Sequence, residues 1–366
     1  MNKYDIVFIG HVTIDEIVAT EGASSGTGGG APLFGAIAAS VTGKKIAVIT
    51  RIAKQHKYVV EALEKYVIAV YLEYAQNTTH MRVVHPSANI DERQMYQSKD
   101  AGFFKIDEIP SFETRLMHLG ALTDREFTLE YMKKLREKGF RLSVDMQGFV
   151  RQVDKSTRII RFGDVPEKKE IMGLADFVKL DLVEAEILTG TDNLSKAAGI
   201  CEAWGSQETL ITRSEGVLVR KDGKDYFEHY SNRSNSGRTG RGDTTFGAYL
   251  SKRLDNSIED VSTIRKLVTT ILDLAQMNSL YMLSDIQEIY VKEMIDQVIN
   301  DNAYLIHQKS LHLVNDTPDF CQVFMSPIHF ETVLGNLIGN AIKYSFIDGN
   351  VTINVADQED SCLLYT

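Results

Sequence analysis

The 366-residue sequence predicts a doubly wound α/β domain over residues 1–254, followed by a segment of different character over 255–366. Short apolar runs alternate with amphipathic helical stretches through the first 254 residues. A glycine-rich turn ending in a carboxylate stands directly before a helical pattern at 237–246. After Leu254 the pattern changes to helices with a seam of apolar residues at steps of three and four.

Residues 6–9, 46–49, 116–119, 142–144, 177–180 and 209–212 are the apolar runs, with helical patterns such as 128–138 between them. Runs of this kind are buried on both faces, which implies a mostly parallel sheet covered by helices on both sides. The run from Ile6 reads as a buried strand that delivers Asp15 to a cleft, where a carboxylate can accept hydroxyl hydrogen bonds from a polyol. Between 71 and 104 the pattern shortens to polar and apolar alternation, as at 79–84, and with 11–30 it is expected to form a small β lid. His80 and His85 lie in that stretch without partners at ligand spacing and read as surface or packing histidines.

Composition narrows the class. A hydrophobic content of 43% is ample for a sizeable core, and the length implies two domains. The net charge of -10 argues against a nucleic-acid partner, since phosphate contacts need clustered Lys and Arg. Cys201, Cys321 and Cys362 are scattered, without metal spacing, and read as small buried thiols. The chain starts directly into a strand, and no membrane-length apolar run follows, so a cytoplasmic protein is expected.

Chemistry concentrates at Gly237-Arg238-Thr239-Gly240-Arg241-Gly242-Asp243-Thr244-Thr245-Phe246. N–H groups freed at a helix N-terminus point outward and the helix dipole adds positive charge, so a phosphoryl group would be held there without a Walker-type lysine. Asp243 would stand where an acceptor hydroxyl loses its proton. The segment resembles the D-T-x-G-A-G-D signature of the PfkB (ribokinase-like) family of carbohydrate and nucleoside kinases, with Gly237, Arg238 and Arg241 replacing the family's aspartate, threonine and alanine. Gly28-Gly29-Gly30-Ala31-Pro32-Leu33-Phe34 is similar to the family's di-glycine sugar-binding turn, Phe34 standing where ribokinases carry an asparagine. Lys179-Leu180-Asp181-Leu182-Val183-Glu184 resembles its N-x-x-E element near magnesium. Two further stretches agree, 142–151 and 210–216.

The resemblance implies a ribokinase-like domain that transfers phosphate from ATP, with Mg2+, to a sugar, polyol or nucleoside. Asp243 would be the general base, and Gly240, Arg241 and Gly242 the anion hole. Asp15, Gly29 and Gly30 would hold the acceptor; Thr212, Gly216 and Lys179 would border the nucleotide; Glu184 and Asp181 would serve the metal. The family normally continues past residue 254 through further helices, which this sequence replaces.

In the second segment Val261, Ile264, Val268 and Ile271 form the apolar seam of a helical hairpin or coiled dimer. Residues 271–277 resemble the second dimerisation helix of sensor histidine kinases, which implies a possible homodimer. Residues 330–345 resemble the N-box of their ATP-binding domains, with Asn336 and Asn340 four apart on one helical face and Lys343 and Tyr344 beside them. A strand is expected at 350–355. No phosphoacceptor histidine element precedes and no D-x-G-x-G box follows, so a truncated, vestigial α/β histidine-kinase ATPase-like sandwich is expected. The alternative to a phosphotransferase is a non-catalytic signalling or dimerisation protein derived from such a fusion, or an inactive fusion.

Overall fold

Each apolar run of the first part forms a strand of one nine-stranded sheet. In chain order its strands are β1 (Asn2–Ile9), β4 (Ile46–Ala53), β5 (Ala69–Ala75), β8 (Phe112–Leu119), β9 (Leu142–Asp145), β12 (Phe177–Asp181), β13 (Glu208–Arg213), β14 (Gly216–Lys221) and β15 (Lys224–His229). They lie in the order β15-β14-β13-β12-β9-β8-β1-β4-β5. Every pairing from β5 to β13 is parallel, and β14 and β15 close one edge antiparallel. The order reverses at β1, which has β4 on one side and β8 on the other. In such sheets the crevice outside the strands' C-terminal ends at that point is where ligands bind.

The computed structural model describes residues 2–18, 24–84, 94–213, 215–229, 240–255, 287–325, 327–358 and 361–365. The chain divides into two units, Met1–Ser279 and Leu280–Thr366. His85 and the expected dimerisation helix at 257–277 lie outside the described residues.

Four strands form the lid, β2 (Thr13–Val18), β3 (Ser24–Gly29), β6 (His80–Val84) and β7 (Gln94–Lys99), in the order β3-β2-β6-β7. Two expectations change here. The lid does not begin at residue 71, because β5 through Ala75 pairs with β4 in the main sheet. Asp15 does not end the buried strand from Ile6: that strand stops at Ile9, and Asp15 sits on β2, opposite Thr27 and Met81. The chain breaks at Gly10, where a Cβ would lie 2.4 Å from the Gly120 carbonyl oxygen.

A buried polar knot fastens the lid to the sheet. His11, Thr79 and Glu126 are all fully buried. Glu126 accepts the backbone N–H of His11 at 2.7 Å and of Leu122 at 2.6 Å. Thr79 accepts the Ala101 N–H at 3.1 Å and donates its hydroxyl to His11 Nδ1 at 2.7 Å, so His11 Nε2–H donates to the Gly102 carbonyl at 3.0 Å. This is a neutral tautomer, consistent with burial lowering the His11 pKa to about 3. The 3.7 Å approach of His11 Nδ1 to Glu126 is therefore not an ion pair. Thr79 precedes β6, Ala101 follows β7 and His11 precedes β2, so the knot binds three crossings between sheet and lid.

Helices flank the sheet: α1 (Ala31–Ser40), α2 (Glu61–Lys65), α3 (Leu129–Glu137), α4 (Gln147–Val150), α5 (Lys168–Leu174), α6 (Leu182–Thr189), α7 (Leu194–Ala203) and α8 (Arg241–Arg253). The expected 128–138 helix is α3, capped by Thr128, whose hydroxyl accepts the Tyr131 N–H. A short hairpin, β10 (Arg151–Val153) with β11 (Ile160–Phe162), follows α4. Cys201, on the buried face of α7, packs in the core, and burial pushes its thiol up to about 12. No helix among the described residues is long and apolar enough to cross a membrane.

Helices α1 and α8 cross at glycine. A Cβ on Gly247 would lie 2.3 Å from the Gly35 oxygen and 2.6 Å from its Cα. Ala38 and Ala248 are both fully buried, and Thr42 donates to the Ser251 hydroxyl at 2.9 Å. Only small residues permit this approach.

The second unit is built from β16 (Gln287–Tyr290), β17 (His312–Asn315), β18 (Gln322–Met325), β19 (Asn350–Gln358) and β20 (Ser361–Tyr365), with helices Val291–Asp301, Ala303–Gln308 and Pro327–Tyr344. Strand β16 pairs with β18, and β19 lies between β17 and β20. Val291, Ile295, Val298, Leu334, Ile338, Ile342 and Ile353 make its core. The sequence-expected helix and the strand at 350–355 are present.

Substituting Gly247→Ala is expected to destabilise the first unit by about 1–3 kcal/mol, the usual cost of overpacking. Thermal unfolding would check it; an unchanged melting temperature would show that the crossing tolerates a methyl group. Glu126 gives a pH prediction. Burial raises its pKa from 4.5 to about 8, against the pull of the Leu122 and His11 N–H donors. The folded state thus holds the proton more tightly, so this contribution to stability is full below 4.5 and lost as pH rises through about 8. Denaturant titrations between pH 5 and 8 are expected to show a smaller decline for Glu126→Gln than for the parent chain.

Candidate active site

The C-terminal ends of β9 and β12 and the N-termini of α1 and α8 meet the sequence motifs at one edge of the sheet. Gly240 caps α8 in the left-handed conformation, φ 76°. A Cβ there would lie 2.6 Å from the ring of Phe34, so the first turn of α1 packs directly on the cradle. The first-turn N–H groups of α8 lack intrahelical partners and carry the positive end of its dipole. Residues 237–239 and the side chain of Arg241 lie outside what the structure describes.

A lysine does stand at this cradle, delivered by a different strand. Lys179 is the register partner of Asp145 on adjacent parallel strands, and its Nζ donates to Asp145 Oδ2 at 2.7 Å. The pair is buried, with side chains 4% and 1% exposed. Lys179 Nζ also lies 3.3 Å from where a Gly242 side chain would begin, so the glycine leaves room for the ammonium against the helix start. Asp145 Oδ1 accepts the Gln147 N–H at 3.1 Å.

The second cation is Arg151, at the start of β10. Its Nη2 lies 3.3 Å from Glu184 Oε1 and 3.9 Å from Asp181 Oδ2. Asp181 and Glu184 form a reciprocal capping box at α6: Asp181 Oδ1 accepts the Glu184 N–H, and Glu184 Oε2 accepts the Asp181 N–H, both at 2.8 Å. Among the described residues no three His, Cys, Asp or Glu are grouped to hold a metal ion.

Charges in this cluster shift one another. Burial raises Asp145 to about 6, with the Lys179 ammonium pulling it down. Burial raises Glu184 to about 7, reinforced by Asp181 and opposed by Lys179 and Arg151. Asp243 is likewise raised by burial, against the pull of Lys179 and Arg151. Burial works against the Lys179 ammonium, but the Asp145, Glu184 and Asp243 carboxylates outweigh it and hold its pKa above the usual range.

On the lid, Asp15 Oδ1 accepts the Thr13 hydroxyl at 2.6 Å. Its Oδ2 lies 2.0 Å from where a Gly29 Cβ would stand, so that glycine makes space for the carboxylate. Gly30 turns the chain into α1 with φ 107°, and a Cβ there would strike the His11 carbonyl oxygen at 2.3 Å. Burial raises Asp15 to about 6. Thr212 lies one residue before the end of β13, with its hydroxyl 3.4 Å from the Leu180 carbonyl oxygen. Gly216 starts β14, where the Glu228 carbonyl, 2.2 Å from a built Cβ, accounts for the glycine by packing. In the second unit Asn340 and Tyr344 are exposed on helix Pro327–Tyr344, while the side chains of Asn336 and Lys343 lie outside the described set.

Sequence reasoning missed Asp145 and Arg151 as members of the site. Their signal was present in the spacing of Asp145 and Arg151 after an apolar run, but only the β9–β12 register places Asp145 against Lys179.

No family model matches the chain. The cytidine kinase of Thermococcus kodakarensis is 28% identical over 220 residues, 59% of this chain and 75% of that protein. Among solved structures, a sulfate complex of a pyrophosphate-dependent kinase in the ribokinase family is 30% identical, with a TM-score of 0.67, covering 76% of this chain and 95% of that one. A structure of such a kinase with a pyrophosphate analog and myo-inositol is also 30% identical, with a TM-score of 0.66, covering 76% and 94%. Aminoimidazole riboside kinase from Salmonella enterica, at 16% identity and a TM-score of 0.58 over 75% of this chain and 93% of that one, shares the fold. With the cradle, the lid and the parallel sheet in place, and with 30% identity across nearly the whole of a solved member, the chain belongs to the ribokinase family.

Proposed function

We propose that the first unit transfers a phosphoryl group from a phosphate donor to a hydroxyl of a small sugar, polyol or nucleoside. The observation that carries this reading is Asp243 in the first turn of α8, beside an anion cradle with Lys179 at its floor. In this reading Asp243 takes the acceptor proton, and Gly240 to Gly242 offer their N–H groups to the charge that develops on phosphorus. Asp15, held by Thr13 against Gly29, orients acceptor hydroxyls. Positioning and electrostatics are what this reaction class asks of a protein.

Two donors are in view. The sequence resemblance implies ATP, with Thr212 and Gly216 at the nucleotide. The kinases 30% identical to this chain are named as pyrophosphate-dependent, and the cations Lys179 and Arg151 beside a helix N-terminus suit a compact polyanion. Magnesium, when bound with either donor, neutralises charge on the phosphates. Glu184 is fully buried, with one oxygen on Arg151 and the other on the Asp181 N–H. Of the two residues expected at the metal, Asp181 is the one with an accessible carboxylate, 32% exposed, and it would meet an ion through the ion's waters.

For the second unit we infer a vestigial histidine-kinase-like element, its N-box helix presenting Asn340 and Tyr344 at the surface.

Phosphorus NMR on the full chain with magnesium, either ATP or pyrophosphate, and cytidine, myo-inositol or ribose is expected to show a new phosphomonoester. Its absence with every combination would remove the phosphotransferase reading. Asp243→Asn is expected to keep the fold while losing at least about a hundredfold of turnover, the lower range for a positioned general base. Circular dichroism and initial rates check the two halves of that statement, and an unchanged rate would take Asp243 out of the mechanism.

A further inference from the structure

The β10–β11 hairpin carries an arginine at each end. At its base Arg151 opens β10, with Nη2 3.3 Å from Glu184 Oε1, and its buried Nε–H has no hydrogen-bond partner among the described residues. At its tip Arg158 follows a turn in which Asp154 Oδ1 accepts the Ser156 and Thr157 N–H groups, each at 2.9 Å. Arg158 takes up the left-handed conformation there, φ 63°. Glycine adopts it without the crowding that a Cβ meets, so the backbone alone does not account for an arginine. The guanidinium does: Nε donates to the Gln97 carbonyl oxygen at 2.8 Å and Nη2 to Asp100 Oδ2 at 2.9 Å, on and just after the lid strand β7. The Gln97 N–H returns to the Arg158 carbonyl at 3.0 Å, and Ile159 bridges antiparallel to Tyr96. Val153 and Ile160, one from each strand of the hairpin, form a small core with Met81 of β6.

The tie leads straight across the lid to Asp15. Asp15 on β2 is the register partner of Met81 on β6, Met81 is the partner of Gln97 on β7, and Gln97 exchanges hydrogen bonds with Arg158. The hairpin thus extends the lid sheet at its tip. Its base is held by the loop after β8, where Asp124 Oδ1 accepts the Val153 N–H and the Asp124 N–H donates to the Arg151 carbonyl, both at 3.0 Å. We propose that Arg158 is a positioning residue that makes the lid follow the hairpin: a polyanion held by Arg151 at the start of α8 pins the hairpin's base and, through Arg158, slows the opening of the lid that carries Asp15. The proposal rests on the phosphotransferase reading above and adds cooperation to it. Donor and acceptor each tighten the other's hold, because a coupling between two binding sites is reciprocal.

Hydrogen exchange read by mass spectrometry on the full chain, with and without saturating inorganic pyrophosphate, reports both ends of the coupling. Peptides over 240–250 report the anion at the start of α8, and peptides over 94–101 report the lid. In the parent chain pyrophosphate is expected to slow exchange in both, the lid by at least about fivefold, the lower end of ordinary coupling between sites. Arg158→Gly removes the guanidinium at a position whose backbone suits glycine, so the variant is expected to fold as the parent does. There the protection at α8 is expected to persist while the response of the lid to pyrophosphate vanishes. A residue that merely braced the lid would, when removed, raise lid exchange equally with and without pyrophosphate and leave the ratio of the two rates as it was, so an unchanged ratio in Arg158→Gly overturns the proposal. It is overturned too by protection at α8 without any at the lid in the parent chain, by loss of protection at both places in the variant, or by no protection anywhere in the parent. The measurement needs no turnover. A phosphomonoester formed by a chain whose lid ignores pyrophosphate would sink the coupling and keep the function, and a coupled lid in a chain that phosphorylates no acceptor would do the reverse.

Discussion

The backbone contact between Gly35 and Gly247 is the constraint on which the first unit's site depends. Two helices drawn from opposite ends of the unit cross there without side chains between them. Their N-termini, one after Gly30 and the other after Gly240, are thereby brought to the same edge of the sheet. Phe34, next to Gly35, closes on Gly240, about two turns of α8 from Gly247. A larger residue at the crossing would part the helices and, with them, the glycine turns at Gly30 and Gly240. The apolar packing is weak in any one contact and matters through its geometry.

The second organising fact is the balance of buried charge. Carboxyls of Asp145, Asp243 and Glu184, with the partly exposed Asp181 beside them, face the cations Lys179 and Arg151. Burying unpaired charge costs several kcal/mol, so the cluster persists through paired hydrogen bonds and through protons retained by carboxyls. The same economy governs the lid: the neutral His11, Thr79 and Glu126 knot satisfies every crossing with hydrogen bonds instead of ion pairs.

Much of the fold was legible because burial on both faces leaves a plain signature. Each of the six apolar runs lies in a strand of the main sheet, and Thr128 caps the helix that its hydroxyl announces. The antiparallel edge strands β14 and β15 were not anticipated: β15 is exposed or half-buried along its length, whereas β14 does carry a buried apolar run, Val217 to Val219, that was overlooked. The lid boundary was misplaced at residue 71 for a related reason: β5 is a sheet edge, half-buried along its length, and alternates like a lid strand. Asp15 was carried to the wrong element because the glycine break at Gly10 depends on the approach of Gly120, a residue more than a hundred positions away in the chain.

By itself the sequence determined the parallel sheet and the glycine-rich turn with Asp243 at a helix start, because each depends on local backbone freedom or on periodic burial; Asp15 meets Gly29 only through the pairing of β2 with β3. It also marked Asp181 and Glu184, whose capping box is local to one helix start. Only the tertiary structure decided that Lys179 lies against Gly242 and Asp145, that Arg151 occupies both oxygens' neighbourhood at Asp181 and Glu184, and that Phe34 covers Gly240. Those are contacts between strands and helices set by register and by a helix crossing, and neither quantity is written in the spacing of residues along the chain.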